Sequence, residues 1–69
     1  MITYNKFFDL ISMRNISQNE LIRRGIINPR LLNALKNNKS ITMDSLNNLC
    51  NRLHCHPMDI IDYVPDDNG

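Results

Sequence analysis

Sixty-nine residues suffice for one domain around one small core; a chain of this size buries only about 60% of its unfolded surface, so its stability is modest unless it dimerises. No apolar run approaches the roughly 18 residues of a membrane span and no basic-then-apolar leader is visible, which predicts a soluble, cytoplasmic protein with no membrane partner. Two cysteines, Cys50 and Cys55, are too few for a disulfide framework.

The formal charge of +1 conceals an asymmetry. Residues 1–39 hold Lys6, Arg14, Arg23, Arg24, Arg30, Lys36 and Lys39 against Asp9 and Glu20, whereas residues 40–69 hold Arg52 alone against Asp44, Asp59, Asp62, Asp66 and Asp67. Such a chain presents a polarised surface to a polyanion.

In chain order, Tyr4, Phe7, Phe8 and Ile11 fall at i, i+3, i+4, i+7, with Leu10 widening the stripe, and predict a first helix over residues 6–14. Ser17 follows as an N-cap with Glu20 three residues on, the pattern of a capping box. Gly25 ends that second helix after about two turns. Asn28 and Pro29 then restart the chain as cap and first helical residue, because proline has no N–H to lose there. Leu21, Ile27, Leu32 and Leu35 form the seam of the resulting helix–turn–helix. The turn carries Gly25 followed by Ile26, and a β-branched residue is an outlier at positive φ, so Gly25 is expected to take the left-handed conformation.

A fourth helix is predicted over residues 43–54 from Leu46, Leu49, Cys50 and Leu53, and a fifth from Pro57 to about Tyr63 with Ile60 and Ile61 inward. Three helix starts share a hydrophobic staple, Ile16–Ser17–Leu21, Ile27–Asn28–Leu32 and Ile41–Thr42–Leu46, and Cys55–His56–Pro57–Ile60 repeats it more weakly. The extended-looking ends, residues 1–4 and 63–65, are candidates to pair as short strands. Residues 1–65 are read as a single domain and 66–69 as a frayed acidic tail.

Taken together, the helix order, Gln18 and Leu21 at the start of the second helix, the Ile27–Leu32–Leu35 seam, the Leu46–Leu49–Cys50–Leu53 run and the ending CHPMDIIDYV resemble the Cro/CI-type, or XRE, helix-turn-helix family over about residues 4–64. The resemblance implies an all-α, five-helix, lambda-repressor-like DNA-binding domain with the helix-turn-helix as its second and third helices. Double-stranded DNA is the implied partner, the implied function is transcriptional regulation, with repression by operator occupancy as the expected mode, and a homodimer is the implied assembly.

The major groove admits one helix, and in this motif the second helix enters with its N-terminal residues leading. Asn28, Pro29, Arg30 and Asn33 are therefore the candidates to meet base edges. Arg30 can fork onto guanine O6 and N7, and an asparagine amide can pair with adenine, although Asn28 cannot easily both cap and read. Leu31 and Ala34 fit partial burial better than contact with a thymine methyl. Gln18, at the start of the leading helix, and Asn37, Asn38, Lys39, Ser40 and Thr42, after the reading helix, are candidates for phosphate. Met58, Ile61, Tyr63 and Val64, with residues 1–4, are the candidate dimer surface, since exposed apolar side chains there would be adhesive.

Cys50, His54, Cys55 and His56 invite a metal reading, but Cys50 sits on the apolar stripe as a small hydrophobe and four ligands from seven residues would have to wrap an ion at a helix end. No metal, cofactor or small-molecule ligand is expected. Neither a glycine-rich phosphate loop nor a nucleophile–base pair is present, so no enzyme is expected. The competing reading is a protein-interaction module of the same fold, antitoxin-like or inhibitory, without specific DNA binding. RNA is disfavoured because Tyr4, Phe7 and Phe8 are assigned to the core rather than to stacking platforms.

Overall fold

Short helices live or die by their ends, and here three of the four α-helices among the described residues are started by the side chain just before them. In the computed structural model, which describes residues 1–66, the helices are α1 (Asn5–Met13), α2 (Gln18–Arg23), α3 (Pro29–Lys36) and α4 (Met43–Leu53). Ser17 Oγ accepts the Glu20 N–H at 3.1 Å, Asn28 Oδ1 accepts the Leu31 N–H at 2.7 Å, and Thr42 Oγ1 accepts the Ser45 N–H at 3.0 Å. Removing such a cap costs about 1 kcal/mol. The capping box at Ser17 departs from expectation: the Glu20 carboxylate pairs with Arg24, one turn on, the favoured order of charges along a helix.

The four helices also stop by one device. Asn15 (φ +58°), Gly25 (φ +73°), Asn38 (φ +54°) and His54 (φ +52°) are left-handed. Each lets the next N–H reach back to a carbonyl in the last turn: Ile16 to Ile11, Ile26 to Leu21 and Lys39 to Ala34 at 2.9 Å, Cys55 to Cys50 at 3.1 Å. This is the glycine-type helix ending, with asparagine as the usual substitute. Gly25 takes the role expected of it, and Ile26 turns half-inward against the core. Some of the eleven asparagines thus have a conformational use as caps and stops.

The fifth helix is corrected. Residues 57–63 form a single 3₁₀ turn, Pro57–Asp59, followed by extended chain. Asp59 Oδ2 accepts the His56 N–H at 3.0 Å, and Ile60 and Ile61 both donate to the Pro57 carbonyl at 2.9 Å. Beyond that, Asp62–Tyr63 (β2) pairs antiparallel with Ile2–Thr3 (β1), with Ile2 opposite Tyr63 and Thr3 opposite Asp62. Pro65 biases the preceding residue toward extended conformation, and the N-terminal segment offers backbone groups to pair with. Among the described residues the frame therefore has four α-helices, closed by a two-stranded ribbon. Asp66 lies 3.1 Å from the amino group of Met1; the rest of the expected acidic tail, residues 67–69, lies outside the described residues.

The four α-helices and the α2–α3 turn share one core, to which neither strand adds a buried apolar residue. Phe7 and Ile11 of α1, Leu21 of α2, Ile27 of the turn, Leu32 and Leu35 of α3, Leu46, Leu49 and Leu53 of α4, and Ile60 are buried, together with Tyr4. Phe7 meets the half-buried Phe8 edge to face, with ring centroids 5.1 Å apart.

Gly25 isolates the conformational contribution of the turn, because a Cβ built there meets no heavy atom within 4 Å. Gly25→Ala is expected to destabilise by about 1–2 kcal/mol in urea denaturation, the cost of a left-handed alanine. Gly25→Asn should cost less, since asparagine tolerates that region. A loss several times larger would point to packing as the cause instead of φ.

Candidate nucleic-acid interface

The burial of α3 fixes which side it offers. Leu32 and Leu35 are buried, Leu31 and Ala34 are half-buried, and Asn28, Pro29, Arg30 and Asn33 are exposed. Thus the four base-reading candidates share the outward part of one short helix and its cap, and Leu31 and Ala34 belong to the packing side. Asn28, Arg30, Ser40 and Thr42 line one open hollow of about 220 Å³, with Leu31 and Ile41 at its floor. The start of α3 and the loop leading into α4 thereby form one continuous surface.

Hydrogen bonds separate these candidates further. Asn28 Oδ1 is engaged in capping. Asn33 accepts Asn37 Nδ2 at both its side-chain oxygen (3.0 Å) and its carbonyl (2.8 Å). Pairing with adenine N6 and N7 requires an amide's acceptor and donor together, so neither asparagine presents a complete reading edge in the free protein. Arg30 does present its guanidinium: among the described residues it has neither a carboxylate within salt-bridge distance nor a hydrogen-bond partner.

The phosphate candidates are similarly graded. Gln18 is half-buried and lies in a hollow with Phe8 and Ser12 of α1. Asn37, Asn38, Lys39, Ser40 and Thr42 are exposed on the loop after α3. Asn38 Oδ1 accepts the Tyr4 N–H at 3.3 Å, and the Lys39 carbonyl accepts the Tyr4 hydroxyl at 2.5 Å. Thr42 both accepts from the Ser45 N–H and donates to Ser45 Oγ at 3.0 Å, which leaves the first N–H groups of α4 as the donors at this end. Asp44 in that first turn supports the helix dipole but adds a negative charge beside any anion.

The cations sort into tied and free. Arg24 pairs with Glu20, Lys6 lies 4.0 Å from Asp62, Arg14 donates to the Leu53 carbonyl, and Arg52 donates to the Gly25 carbonyl at 3.0 Å. Arg23, Arg30, Lys36 and Lys39 have no such partner among the described residues, and all four lie on the helix pair or the loop after it. Two residues that sequence reasoning did not assign to the site thus act on its frame. Arg52 latches α4 to the turn between α2 and α3, and Tyr4 grips the 38–39 loop. The signal for Arg52 was present, as it is the lone cation of the acidic half; Tyr4 showed only its apolar periodicity.

The apolar candidates divide between two places. Tyr63 and Val64 are exposed on the ribbon with Met1 and Ile2. Ile61 is half-buried in a hollow of about 360 Å³ shared with Ile2, Tyr4, Ile41 and Met43. Met58, 71% exposed, lines a separate hollow with Leu10 and Met13 of α1, so the expected four-residue set is not one patch. The Ile61 hollow also includes Asn38 and Ser40, which brings the ribbon alongside the candidate phosphate loop instead of on a remote face.

Cys50 and Cys55 are half-buried and pack against the core, and His54 serves as the left-handed stop of α4. No helix among the described residues is long and apolar enough to cross a membrane.

An exposed helix held at its base by a tight turn, with free cations beside it, is the arrangement of a groove-reading motif. The chain belongs to the Cro/C1-type helix-turn-helix DNA-binding domain family, whose model matches residues 9–66. In three dimensions it is similar to the crystal structure of the transcriptional regulator VanUg (form II), with a TM-score of 0.83 and 26% sequence identity over 94% of this chain and 87% of that one. No curated protein matches the sequence.

Burial pushes the Cys55 thiol up from its ordinary range, with the adjacent Cys50 adding to the shift. Iodoacetamide should therefore modify it more slowly at mildly alkaline pH than an exposed thiol, with a rate midpoint displaced upward. A raised folded-state pKa contributes stability that is complete below the unfolded thiol's pKa and is lost as pH rises through the folded one. Reaction as fast as a free peptide thiol would contradict this environment.

Proposed function

We propose that the protein is a sequence-specific, double-stranded DNA-binding transcriptional regulator, a repressor that acts by occupying its operator. The observation that carries the reading is the Arg30 guanidinium at the exposed start of α3, unpartnered among the described residues, with Lys36 on the same helix and Lys39 on the loop after it likewise without a carboxylate partner there. Arg30 is the base-reading residue with the strongest case. Asn28 and Asn33 reach bases through their amide groups only if their present bonds are exchanged, and Pro29 contributes shape beside them. Gln18, Asn37, Asn38, Lys39, Ser40, Thr42 and the α4 N-terminus hold the flanking phosphates. VanUg, described as a transcriptional regulator, supports the regulatory assignment by similarity.

The working form is a homodimer, because paired half-sites one helical turn apart match a two-fold protein. Its surface is centred on the ribbon, through Ile2, Tyr63 and Val64 with Ile61 beneath; Met58 sits outside that patch. Residues 1–65 act as one domain.

One observation favours a second reading, a protein-interaction module of the same fold without specific DNA binding: both asparagine carbonyl oxygens on the outward side of α3 are engaged within the protein. The two readings part at low ionic strength. Binding to any duplex that weakens steeply with added salt supports DNA, as each neutralised phosphate releases counterions; no mobility shift at micromolar protein supports the module.

Arg30→Ala should cost about 1–3 kcal/mol on a selected site and relax preference at one base pair. Lys39→Ala should weaken all sequences alike and reduce the salt slope by about one. Unchanged affinity and preference for Arg30→Ala would remove that residue from the reading surface. For the dimer, Val64→Asp should yield a monomer in sedimentation, since it sets an unpaired charge in an apolar contact. Val64 is 46% exposed, so the monomer's helix content should persist. A wild-type protein already monomeric at tens of micromolar would defeat the dimer in solution.

A further inference from the structure

We infer that Tyr4 is a positioning residue for DNA binding, holding the 38–39 loop in the geometry from which Lys39 meets a phosphate; the inference rests on the reading of that loop given above. Tyr4 stands at the N-cap position of α1 but makes no side-chain capping bond. It instead reaches across the core to a loop 34 and 35 residues away in sequence. Its N–H donates to Asn38 Oδ1 at 3.3 Å and its hydroxyl to the Lys39 carbonyl at 2.5 Å. The two bonds leave opposite ends of one residue and land on neighbouring positions, so they set the orientation of the loop as well as its distance.

A core role alone would need the ring and not the hydroxyl. Tyr4 is 3% exposed and Lys39 is a surface residue, so the hydroxyl's bond joins the core to an exposed loop. One such bond adds modest net stability, and it fixes a direction. Burial pushes the phenol up from its ordinary range, which keeps it a donor through neutral and mildly alkaline pH. The anchor itself is held, because Thr3 immediately before it pairs with Asp62 in the ribbon. Asn38, the loop's left-handed residue, supplies the reversal that lets both bonds form.

Tyr4→Phe removes the hydroxyl and keeps the ring. Binding to a short mixed-sequence duplex at low salt is measured for the wild type, Tyr4→Phe, Lys39→Ala and the double variant, with folding checked by circular dichroism. Tyr4→Phe is expected to weaken binding by about three- to tenfold, the effect of one hydrogen bond. It should do so equally on all sequences, and the double variant should be little weaker than Lys39→Ala alone, because both act through one contact. Wild-type affinity in Tyr4→Phe beside a weakened Lys39→Ala overturns the inference and leaves the loop reading intact. Losses that multiply in the double variant also overturn it, since Tyr4 would then act elsewhere. A Lys39→Ala variant that binds like wild type sinks the loop reading, and the inference with it. Should Tyr4→Phe not fold, the wild type still decides: the Tyr4 hydroxyl proton must be protected from solvent exchange in the free protein, and a freely exchanging one rejects the tether.

Discussion

Four helices of six to eleven residues cannot stand alone in water, where even good helix formers are marginal below about 12–15 residues. Each must be stopped, turned and restarted within a few residues while its apolar face stays on the common core. That constraint governs the rest of the structure. Ser17, Asn28 and Thr42 satisfy orphaned donors at the starts, and Asn15, Gly25, Asn38 and His54 reverse the chain at the ends. The α2–α3 pair is the instance that matters for the site, with Arg24 to Asn28 between the helices. Ile27 enters the core there while Gly25 turns the backbone, so the aim of α3 follows from two adjacent demands on a very short segment. Arg52 adds a third by holding the Gly25 carbonyl from α4.

Much of this was legible because it is local. Caps act over three residues, staples over five and helical stripes over seven, so Ser17, Asn28–Pro29 and Thr42 could be read directly, as could the buried positions of α1, α3 and α4. Gly25 was legible because only glycine takes positive φ freely. Asn15, Asn38 and His54 were not, because asparagine serves equally as cap, stop or plain surface residue, and histidine carries no such signal. The fifth helix was misread for a related reason. Pro57, Ile60 and Ile61 have helix-start spacing, which extended the helix through Tyr63; the extended-looking ends at residues 1–4 and 63–65 did suggest a strand pairing, and the structure pairs Ile2–Thr3 with Asp62–Tyr63, one residue earlier than expected on the second strand.

The candidate site shows the same division. Exposure of Asn28, Pro29, Arg30 and Asn33 followed from the inward spacing of Leu32 and Leu35. What each exposed group is free to do did not follow, since it depends on competition among polar side chains: Asn33 with Asn37, Asn28 with its own helix, Arg24 with Glu20. Net charge is a similarly blunt guide. A chain at +1 still presents cations at positions 23, 30, 36 and 39 that are unpaired among the described residues, because several carboxylates lie on the far half of the sequence and other cations are tied to carbonyls or carboxylates within the fold. A polyanion meets the local potential and not the total.

The small size of the domain has one more consequence. Around a single small core, the ribbon and the loop after α3 lie side by side. The hollow beneath Ile2 and Ile61 also takes in Asn38 and Ser40, and Tyr4 lies between ribbon and loop with bonds to the latter. A partner that covers the ribbon would therefore sit against the residue that holds the loop, so the two faces share Tyr4 as a common support.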